Sequence, residues 1–266
     1  MPNKTKSART ETGAREAKIL LFDVESSPNI GYTWGVWEEN VIEVIEARQI
    51  ISVAWKWFGE KGISVKSLPD FPGYRKDPKN NKALIEHLHG LISRADIAVG
   101  HNIDKFDDKM ANTDFIKHGM TPPPSHKTVD TLKIARKHFR FNSNKLNDLG
   151  VFLRLGQKVK HSGFVLWKAC LAGDMKAWKL MRKYNAGDVA LLEKVYLKFR
   201  PWMPNHPAIK PREITNKNPA CPICKEKKMQ MRGKRINRSG TIPRYQCQAC
   251  GHWVDGILIR KEWRIK

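Results

Sequence analysis

The chain has 266 residues, 41% of them hydrophobic and 9% aromatic, which is typical of a globular protein with one sizeable core and a small additional module. Its 49 Lys and Arg residues against 26 Asp and Glu residues give a formal net charge of +23, for which nucleic acid is the expected partner. The N-terminal residues lack the apolar core of a secretory signal, and no apolar stretch is long enough to span a membrane. We therefore expect a cytoplasmic protein without a membrane partner.

The first hundred residues contain the strand signals of the sequence. Residues 1–17 are polar and basic, and we interpret them as a disordered arm. Apolar and β-branched runs, together with leucines at helical spacing, then define four elements. The predicted elements are a strand over 19–25 that is buried on both faces, a hairpin within 49–68, a helix within 81–95 and a strand over 96–100.

The remainder of the first domain is predicted to be helical. The predicted helices cover 105–118, 128–139, 144–156 and at least two pieces of 164–200. Early strands followed by interspersed helices indicate an α/β fold, with a mixed sheet and helices packed on it. We place this domain at residues 18–204, and we interpret the proline-rich residues 205–219 as a linker.

Asp23 and Glu25 follow the apolar run of the first strand at positions i and i+2. Because side chains alternate along a strand, both carboxylates point to the same side. Two like charges at the end of a buried strand repel each other, and each is costly to remove from water. A divalent cation between them converts the repulsion into ligation, and oxygen ligands select a hard ion such as Mg²⁺ or Mn²⁺.

Two further segments carry side chains of the same chemical type. The segment GHNIDKFD brings Asn102, Phe106 and Asp107 to the junction of a strand and a helix, where capping of the helix is the alternative role for the acidic residue. Tyr184 and Asp188 are spaced i and i+4 and share one helix face, where simple packing of the tyrosine is the alternative.

The order of these three segments resembles the three motifs of the DEDD superfamily of 3′–5′ exonucleases, which have a ribonuclease H-like fold. The tyrosine in the third segment is similar to that of the DEDDy subtype. The spacing of Asn102 and Asp107 resembles that of the proofreading domains of family B DNA polymerases. The resemblance covers roughly residues 18–200 and implies a ribonuclease H-like mixed β-sheet flanked by helices.

The resemblance also implies a role for each matching residue. A two-metal mechanism would use four carboxylates as ligands of two Mg²⁺ or Mn²⁺ ions, namely Asp23, Glu25, Asp107 and Asp188. Tyr184 completes the set of candidate catalytic residues and would orient the attacking water. The candidate substrate contacts in this domain are Ser26, Ser27, Asn102 and Phe106.

Two C-x-x-C pairs near the C-terminus, 22 residues apart, predict a structural Zn²⁺ site, and we place a zinc-ribbon domain at residues 220–266. The four predicted ligands are Cys221, Cys224, Cys247 and Cys250. The residues between the pairs are rich in Lys and Arg, which favours contact with a nucleic-acid backbone. The candidate contacts there are Lys234, Arg235 and Arg238.

These observations predict a metal-dependent 3′–5′ exonuclease that acts on nucleic acid. We favour DNA over RNA and single-stranded 3′ ends, with replication or repair proteins as partners. One alternative is a structure-selective endonuclease or ribonuclease of the same fold, and another is a nucleic-acid-binding factor without catalytic activity. Nothing in the sequence indicates the oligomeric state.

Overall fold

The computed structural model describes residues 17–37, 39–203, 206–207, 220–221, 223–237 and 240–256. The chain divides into two compact units. The first extends from Lys18 to His206, and the second includes the residues from Pro207 onward. The predicted disordered arm over 1–17 and the predicted linker over 205–219 lie almost wholly outside the described residues. None of the helices in the described part combines the length and apolar character that crossing a membrane requires.

The first unit contains seven strands and six helices among its described residues. Its strands are β1 (Ile19–Ser26), β2 (Ile30–Tyr32), β3 (Glu43–Glu46), β4 (Ile50–Trp57), β5 (Ser64–Ser67), β6 (Ile97–Gly100) and β7 (Lys127–Asp130). Its α-helices are α1 (Lys82–Ile92), α2 (Asp107–Lys117), α3 (Thr131–His138), α4 (Leu146–Phe152), α5 (Phe164–Leu171) and α6 (Met175–Phe199). Short 3₁₀ helices cover Leu68–Asp70 and Arg200–Trp202.

A mixed five-stranded sheet with the order β5-β4-β1-β6-β7 forms the centre of this unit. Strand β1 pairs antiparallel with β4 and parallel with β6, so it has neighbours on both edges. Its residues from Ile19 to Phe22 are fully buried, because helices cover the sheet and α6 packs directly on β1 and β4. The predicted α/β fold, with a mixed sheet and helices packed on it, is confirmed. The second half of β1 lies beside α6.

Two local differences from the predicted elements have clear causes. The predicted helix over 128–139 begins only at Thr131, because β7 pairs with β6 up to Asp130 and the Asp130 carboxylate then caps α3. It accepts hydrogen bonds from the backbone N–H groups of Leu132 and Lys133 at 2.9 and 3.3 Å. The small hairpin of β2 and β3 was not predicted, since its apolar residues are largely exposed and show no core-facing pattern.

The second unit contains a three-stranded antiparallel sheet with the order β10-β9-β8. The strands are β8 (Met229–Asn237), β9 (Gly240–Cys247) and β10 (Trp253–Asp255). Strand β8 follows the first cysteine pair, β9 ends at the first cysteine of the second pair, and β10 follows that pair. This small sheet together with the four-cysteine cluster fits a zinc-binding module.

A buried carboxylate connects α1, α2 and β4 in the first unit. Asp114 on α2 accepts hydrogen bonds from the backbone N–H of Ile50 at 2.8 Å and from the Asn81 side-chain amide at 2.9 Å. The amide oxygen of Asn81 in turn lies 2.7 Å from Nε2 of His118. Because Asp114 and Asn81 are both buried, a polar group that loses its hydrogen-bond partner here cannot bond to water instead.

Asp114→Ala is therefore expected to lower the free energy of unfolding by roughly 2–5 kcal/mol, since two buried donors lose their acceptor. Urea unfolding of the full chain measures the change. The exposed Asp77→Ala substitution is the control, and we expect it to change the stability by less than about 0.5 kcal/mol. Equal effects of the two substitutions would show that the Asp114 network does not stabilise the fold.

Candidate active site

Three carboxylates converge at the end of β1. Asp23 and Glu25 project from the same face of this strand, and Asp188 approaches from α6. One oxygen from each of the three residues lies within 4.8 Å of the other two. The structure thus places these three predicted side chains next to one another.

Asp107, the fourth predicted carboxylate, lies beside this cluster rather than within it. It is the first residue of α2 and is buried. Its Oδ1 accepts a hydrogen bond of 3.1 Å from the backbone N–H of Val24, the residue between Asp23 and Glu25. Its charge contributes to the raised pKa values of both neighbours, so it belongs to the same electrostatic group.

Asn185, which sequence reasoning missed, fixes the position of Asp23. Its side-chain amide donates to Asp23 Oδ2 at 2.7 Å and to the Asp23 carbonyl oxygen at 3.3 Å. Its own oxygen accepts from the Ser52 hydroxyl at 2.9 Å, and Ser52 accepts from Ser67 at 3.0 Å. This buried chain of hydrogen bonds ties the cluster to β4 and β5. The only sequence signal for Asn185 was its place next to Tyr184.

Lys158, which also was not predicted, contacts both residues of the third motif. Its Nζ lies 2.6 Å from Asp188 Oδ2 and 3.2 Å from the Tyr184 hydroxyl. Lys158 comes from the segment between α4 and α5, about 30 residues before Asp188, in a part of the chain without a recognisable pattern. The His161 and Trp167 rings pack against the Tyr184 ring, with centroids 4.6 and 6.0 Å away.

Burial and mutual repulsion make the carboxylates hard to ionise when no cation is bound. Burial is the largest cause of the raised pKa of Asp23, and the charges of Asp107, Glu25 and Asp188 raise it further. Burial, with repulsion from Asp188, raises the pKa of Glu25 to about 8. Burial likewise raises the pKa of Asp107 to about 7, against the opposing effect of the Val24 N–H. Burial also raises the pKa of Asp188, although Lys158 opposes it.

The donor set of this cluster fits a divalent cation. Asp188 is only 1% exposed, and its Oδ1 has no hydrogen-bond partner among the residues that the structure describes. Buried carboxylate oxygens normally accept a hydrogen bond. This oxygen, which has no such donor and lies next to Asp23 and Glu25, is therefore available to bind a cation. Carboxylate-only ligation is suited to hard ions, so these residues could hold a divalent metal.

Two clefts open beside the cluster. The larger, of about 660 Å³, is lined by Asp23, Asn102 and Lys158, and also by residues of the segment that joins α3 to α4. The smaller, of about 360 Å³, is lined by Ser26 and Ser27 together with residues that include Arg48, Phe164 and Trp167. No lining residue is common to both.

The predicted substrate contacts differ in how they are placed. Asn102 lies in the larger cleft with φ at 72°, and its backbone N–H donates to Asp130 at 2.9 Å. Ser26 lies in the smaller cleft, and the buried Ser27 hydroxyl accepts from the Gln49 N–H at 3.1 Å. Phe106 packs, partly buried, against the hydrophobic core. Their roles toward a substrate stay predictions.

The four cysteines of the second unit form one cluster, with their sulfur atoms within 4.8 Å of one another. The Sγ atoms of Cys221 and Cys250 are 3.6 Å apart, as are those of Cys224 and Cys247. In each C-x-x-C pair, the residue after the second cysteine donates its N–H to the carbonyl of the first cysteine, at 3.0 and 2.9 Å. Both of those residues have a positive φ, which produces the same tight knuckle twice.

The predicted basic contacts of this unit are in part engaged elsewhere. Lys234 is exposed, whereas Arg235 forms an ion pair of 3.0 Å with Asp255. Arg238 lies outside the described residues.

The stability of the protein in buffer without Mg²⁺ or Mn²⁺ should depend on the ionisation of Glu25. Its pKa in the folded state is about 8 against an ordinary value of 4.5, so between these values the folded protein keeps a proton that the unfolded chain releases. The contribution of this proton to the free energy of unfolding is fully present below about pH 4.5 and is lost as the pH rises to about 8. As the pH rises through this range, the Glu25→Gln variant should therefore become increasingly more stable than the wild type.

Urea unfolding at pH 5 and pH 8 measures this difference, with the exposed Glu60→Gln substitution as the control. Addition of Mg²⁺ at pH 8 should stabilise the wild type more than the Glu25→Gln variant. A difference between the two proteins that is the same at both pH values would contradict the raised pKa.

We also expect one tightly held Zn²⁺ per chain at the cysteine cluster, because four thiolates offer tetrahedral coordination. Elemental analysis after dialysis against a weak chelator should find this zinc in the wild type and not in Cys247→Ala. The control is Cys170→Ala, which removes a buried thiol of the first unit. Retention of zinc by Cys247→Ala would mean that the ion lies elsewhere.

Comparison with known proteins gives a family for the larger unit. The model of the RNase H superfamily matches residues 57–200, which is more than half of the chain. None of the curated proteins matches the sequence.

The fold is also similar to part of the family B DNA polymerase from the hyperthermophilic archaeon Pyrobaculum calidifontis. The TM-score is 0.54 at 13% sequence identity, over 70% of this chain and 25% of the polymerase. The chain thus corresponds to about a quarter of that polymerase, and the likeness concerns the fold. From the family match, this protein belongs to the RNase H superfamily.

Proposed function

We propose that the protein is a metal-dependent 3′–5′ exonuclease that hydrolyses the phosphodiester bonds of nucleic acid. The observation that carries the proposal is the cluster of Asp23, Glu25 and Asp188, with the Tyr184 hydroxyl beside it, at the edge of an open cleft. Membership of the RNase H superfamily and the carboxylate cluster together support a nuclease with a nucleic-acid substrate.

The three clustered carboxylates and the adjacent Asp107 would hold two Mg²⁺ or Mn²⁺ ions. When bound, such ions supply Lewis acidity at the scissile phosphate and neutralise the charge that develops on the leaving oxygen. Asn185 keeps the Asp23 carboxylate in position, so that its remaining oxygen can face a ligand.

Tyr184 is suited to orient a water molecule rather than to remove its proton. Burial raises the pKa of its phenol well above the ordinary value, and the nearby Asp188 charge raises it further. The positive charge of Lys158 lowers this pKa in part, but the hydroxyl still keeps its proton at neutral pH. Since Lys158 donates to the phenol oxygen, the proton of Tyr184 is directed to another acceptor, either the Asp188 carboxylate or a water molecule.

Lys158 keeps its positive charge in this setting. Burial lowers its pKa, but the Asp188 carboxylate 2.6 Å away, together with Tyr184 and Asp23, raises it, so that the net pKa lies above the ordinary value. The ammonium group compensates part of the negative charge of the cluster and lines the larger cleft beside Asp23. It would lie close to the phosphate that undergoes hydrolysis.

DNA is the substrate that we favour, because the protein whose fold is similar is a DNA polymerase. We also favour single-stranded 3′ ends and replication or repair proteins as partners. In this proposal the residues from 220 onward form a zinc ribbon that adds affinity for nucleic acid. The segment 206–266 supports that role, with 15 Lys and Arg residues and only four Asp and Glu residues.

Digestion of 5′-labelled single-stranded DNA with Mg²⁺ or Mn²⁺ should give a ladder that shortens from the 3′ end. Asp23→Asn should lower the rate by several orders of magnitude, because it removes a metal ligand. Tyr184→Phe should lower it less, by about 10- to 100-fold, since it removes one hydroxyl and no carboxylate.

Parallel reactions with duplex DNA, RNA and a 3′-blocked strand complete this experiment. Internal cuts in the blocked strand would favour an endonuclease, and stronger cleavage of RNA would favour a ribonuclease. No cleavage of any substrate, from a protein with its zinc intact, would favour a binding factor and contradict the proposal.

Replacement of three exposed ribbon lysines, Lys227, Lys228 and Lys234, by Gln should weaken binding of single-stranded DNA without abolishing cleavage. Each lost phosphate contact should reduce the slope of log K against log salt by roughly 0.7. The control replaces three exposed lysines of the first unit: Lys61, Lys76 and Lys82. Equal slopes for the ribbon variant and the wild type would mean that the ribbon does not contact the substrate.

A further inference from the structure

A group of aromatic rings reaches the surface of the first unit at the end of α3 and α4. The Phe139 ring stacks on the buried Phe199 ring with centroids 5.1 Å apart, and it contacts Phe141 and Trp202 at 5.1 and 5.2 Å. Phe141 in turn contacts Phe152 at 5.3 Å. Phe199 anchors the group in the core, and the outermost rings are exposed.

The exposed members are Phe152, at 69%, and Trp202, at 56%. Large aromatic rings on a rigid support are available for contact with a ligand, and nothing in the mechanism above uses them. We call the four rings Phe139, Phe141, Phe152 and Trp202 the aromatic patch.

The segment that carries three rings of this patch is strongly basic. The segment 133–160 contains eight Lys and Arg residues and a single acidic residue, Asp148, which is hydrogen-bonded to Ser143 and Asn147. Six of the cations are exposed and form no ion pair with a described residue. These are Arg136, Lys137, Arg140, Lys145, Arg154 and Lys160. Unpaired cations between aromatic rings match the charge and the bases of a nucleic-acid strand.

The patch is also connected in the chain to a wall of the candidate active site. Arg136 and Lys145 line the larger cleft together with Asp23 and Lys158. Phe139 and Phe141 lie between Arg136 and Lys145 in the chain, on the same connection that forms a wall of this cleft. A strand whose 3′ end reaches the carboxylates could therefore extend along the cleft to the patch.

We propose that the aromatic patch binds the bases of single-stranded nucleic acid, a few nucleotides away from the end that is cleaved. The rings stack on unpaired bases, and the surrounding cations contact the phosphates between them. A duplex keeps its bases stacked on one another, so this site selects single strands. The inference rests on the proposed function for the direction of the strand, whereas the binding itself can be tested without hydrolysis.

The hairpin of β2 and β3 offers a natural comparison, because it is also aromatic and exposed. Trp34 and Trp37 are 90% and 85% exposed. Residues 30–46 contain no Lys or Arg and four Glu residues, however, so this surface repels phosphate. The charges of the two surfaces therefore favour binding of nucleic acid at the patch rather than at the hairpin.

The test measures binding of 5′-labelled oligo(dT) from 4 to 16 nucleotides by fluorescence anisotropy, on the full chain in buffer without Mg²⁺ or Mn²⁺. For the longer strands, Phe152→Ala/Trp202→Ala should bind about 5- to 100-fold more weakly than the wild type. For the 4-mer, which fills only the cleft, the two proteins should be equal. The matched control Trp34→Ala/Trp37→Ala should bind all lengths like the wild type.

Strands with abasic sites distinguish stacking from charge. A 16-mer that carries bases only on its four 3′-terminal nucleotides keeps every phosphate, and it should bind to the wild type and the patch variant equally. Arg140→Gln/Arg154→Gln leaves the rings in place and should lower the salt slope by roughly 1.4, at about 0.7 per phosphate contact. This second variant keeps the test valid if the aromatic substitutions unfold the protein.

The inference would be overturned if a folded patch variant bound the 16-mer as tightly as the wild type does. It would also be overturned if only the hairpin control lost affinity for the 16-mer. Cleavage of DNA by the wild type together with unchanged binding by the patch variant would leave the proposed function intact and reject the patch. Length-dependent binding through the patch, without any cleavage in Mg²⁺, would support the patch and reject the proposed function.

Discussion

The first unit holds mutually repelling carboxylates together at the C-terminal end of its central strand, and this constraint shapes the site. The alternation of β1 directs Asp23 and Glu25 to one side, and the packing of α6 on that strand adds Asp188. Their repulsion and their removal from water both favour the protonated forms. Lys158 and Asn185 offset part of this cost, and a divalent cation would offset the rest.

The same constraint connects the fold to the proposed chemistry. Strand β4 pairs with β1 from Leu20 to Ser26, so the ligands that β1 carries keep their geometry without a cation. The cleft beside them exposes one side of the cluster, where Lys158 and a protonated Tyr184 could contact a phosphate. Positive charge elsewhere on the chain would attract a nucleic-acid substrate, whereas negative charge is concentrated where the proposed chemistry would take place.

The sequence predicted those parts of the site that depend on local periodicity. The common face of Asp23 and Glu25 follows from the two-residue period of a strand, and the cysteine cluster follows from paired spacing. Lys158 and Asn185 could not be predicted in the same way, because their roles depend on how a loop and a helix pack in three dimensions. Strand β7 was missed because it has only four residues and continues directly into α3.

Direct binding of Mn²⁺ tests the central claim, that the buried carboxylates form a divalent-cation site. The full chain is titrated with Mn²⁺ at pH 7 while the free ion is followed by electron paramagnetic resonance and proton release is followed by a pH indicator. The account predicts saturable binding with release of protons, because burial keeps Glu25 protonated at this pH, and a loss of that binding in Asp188→Asn. Absence of saturable binding, or equal binding by Asp188→Asn, would contradict it.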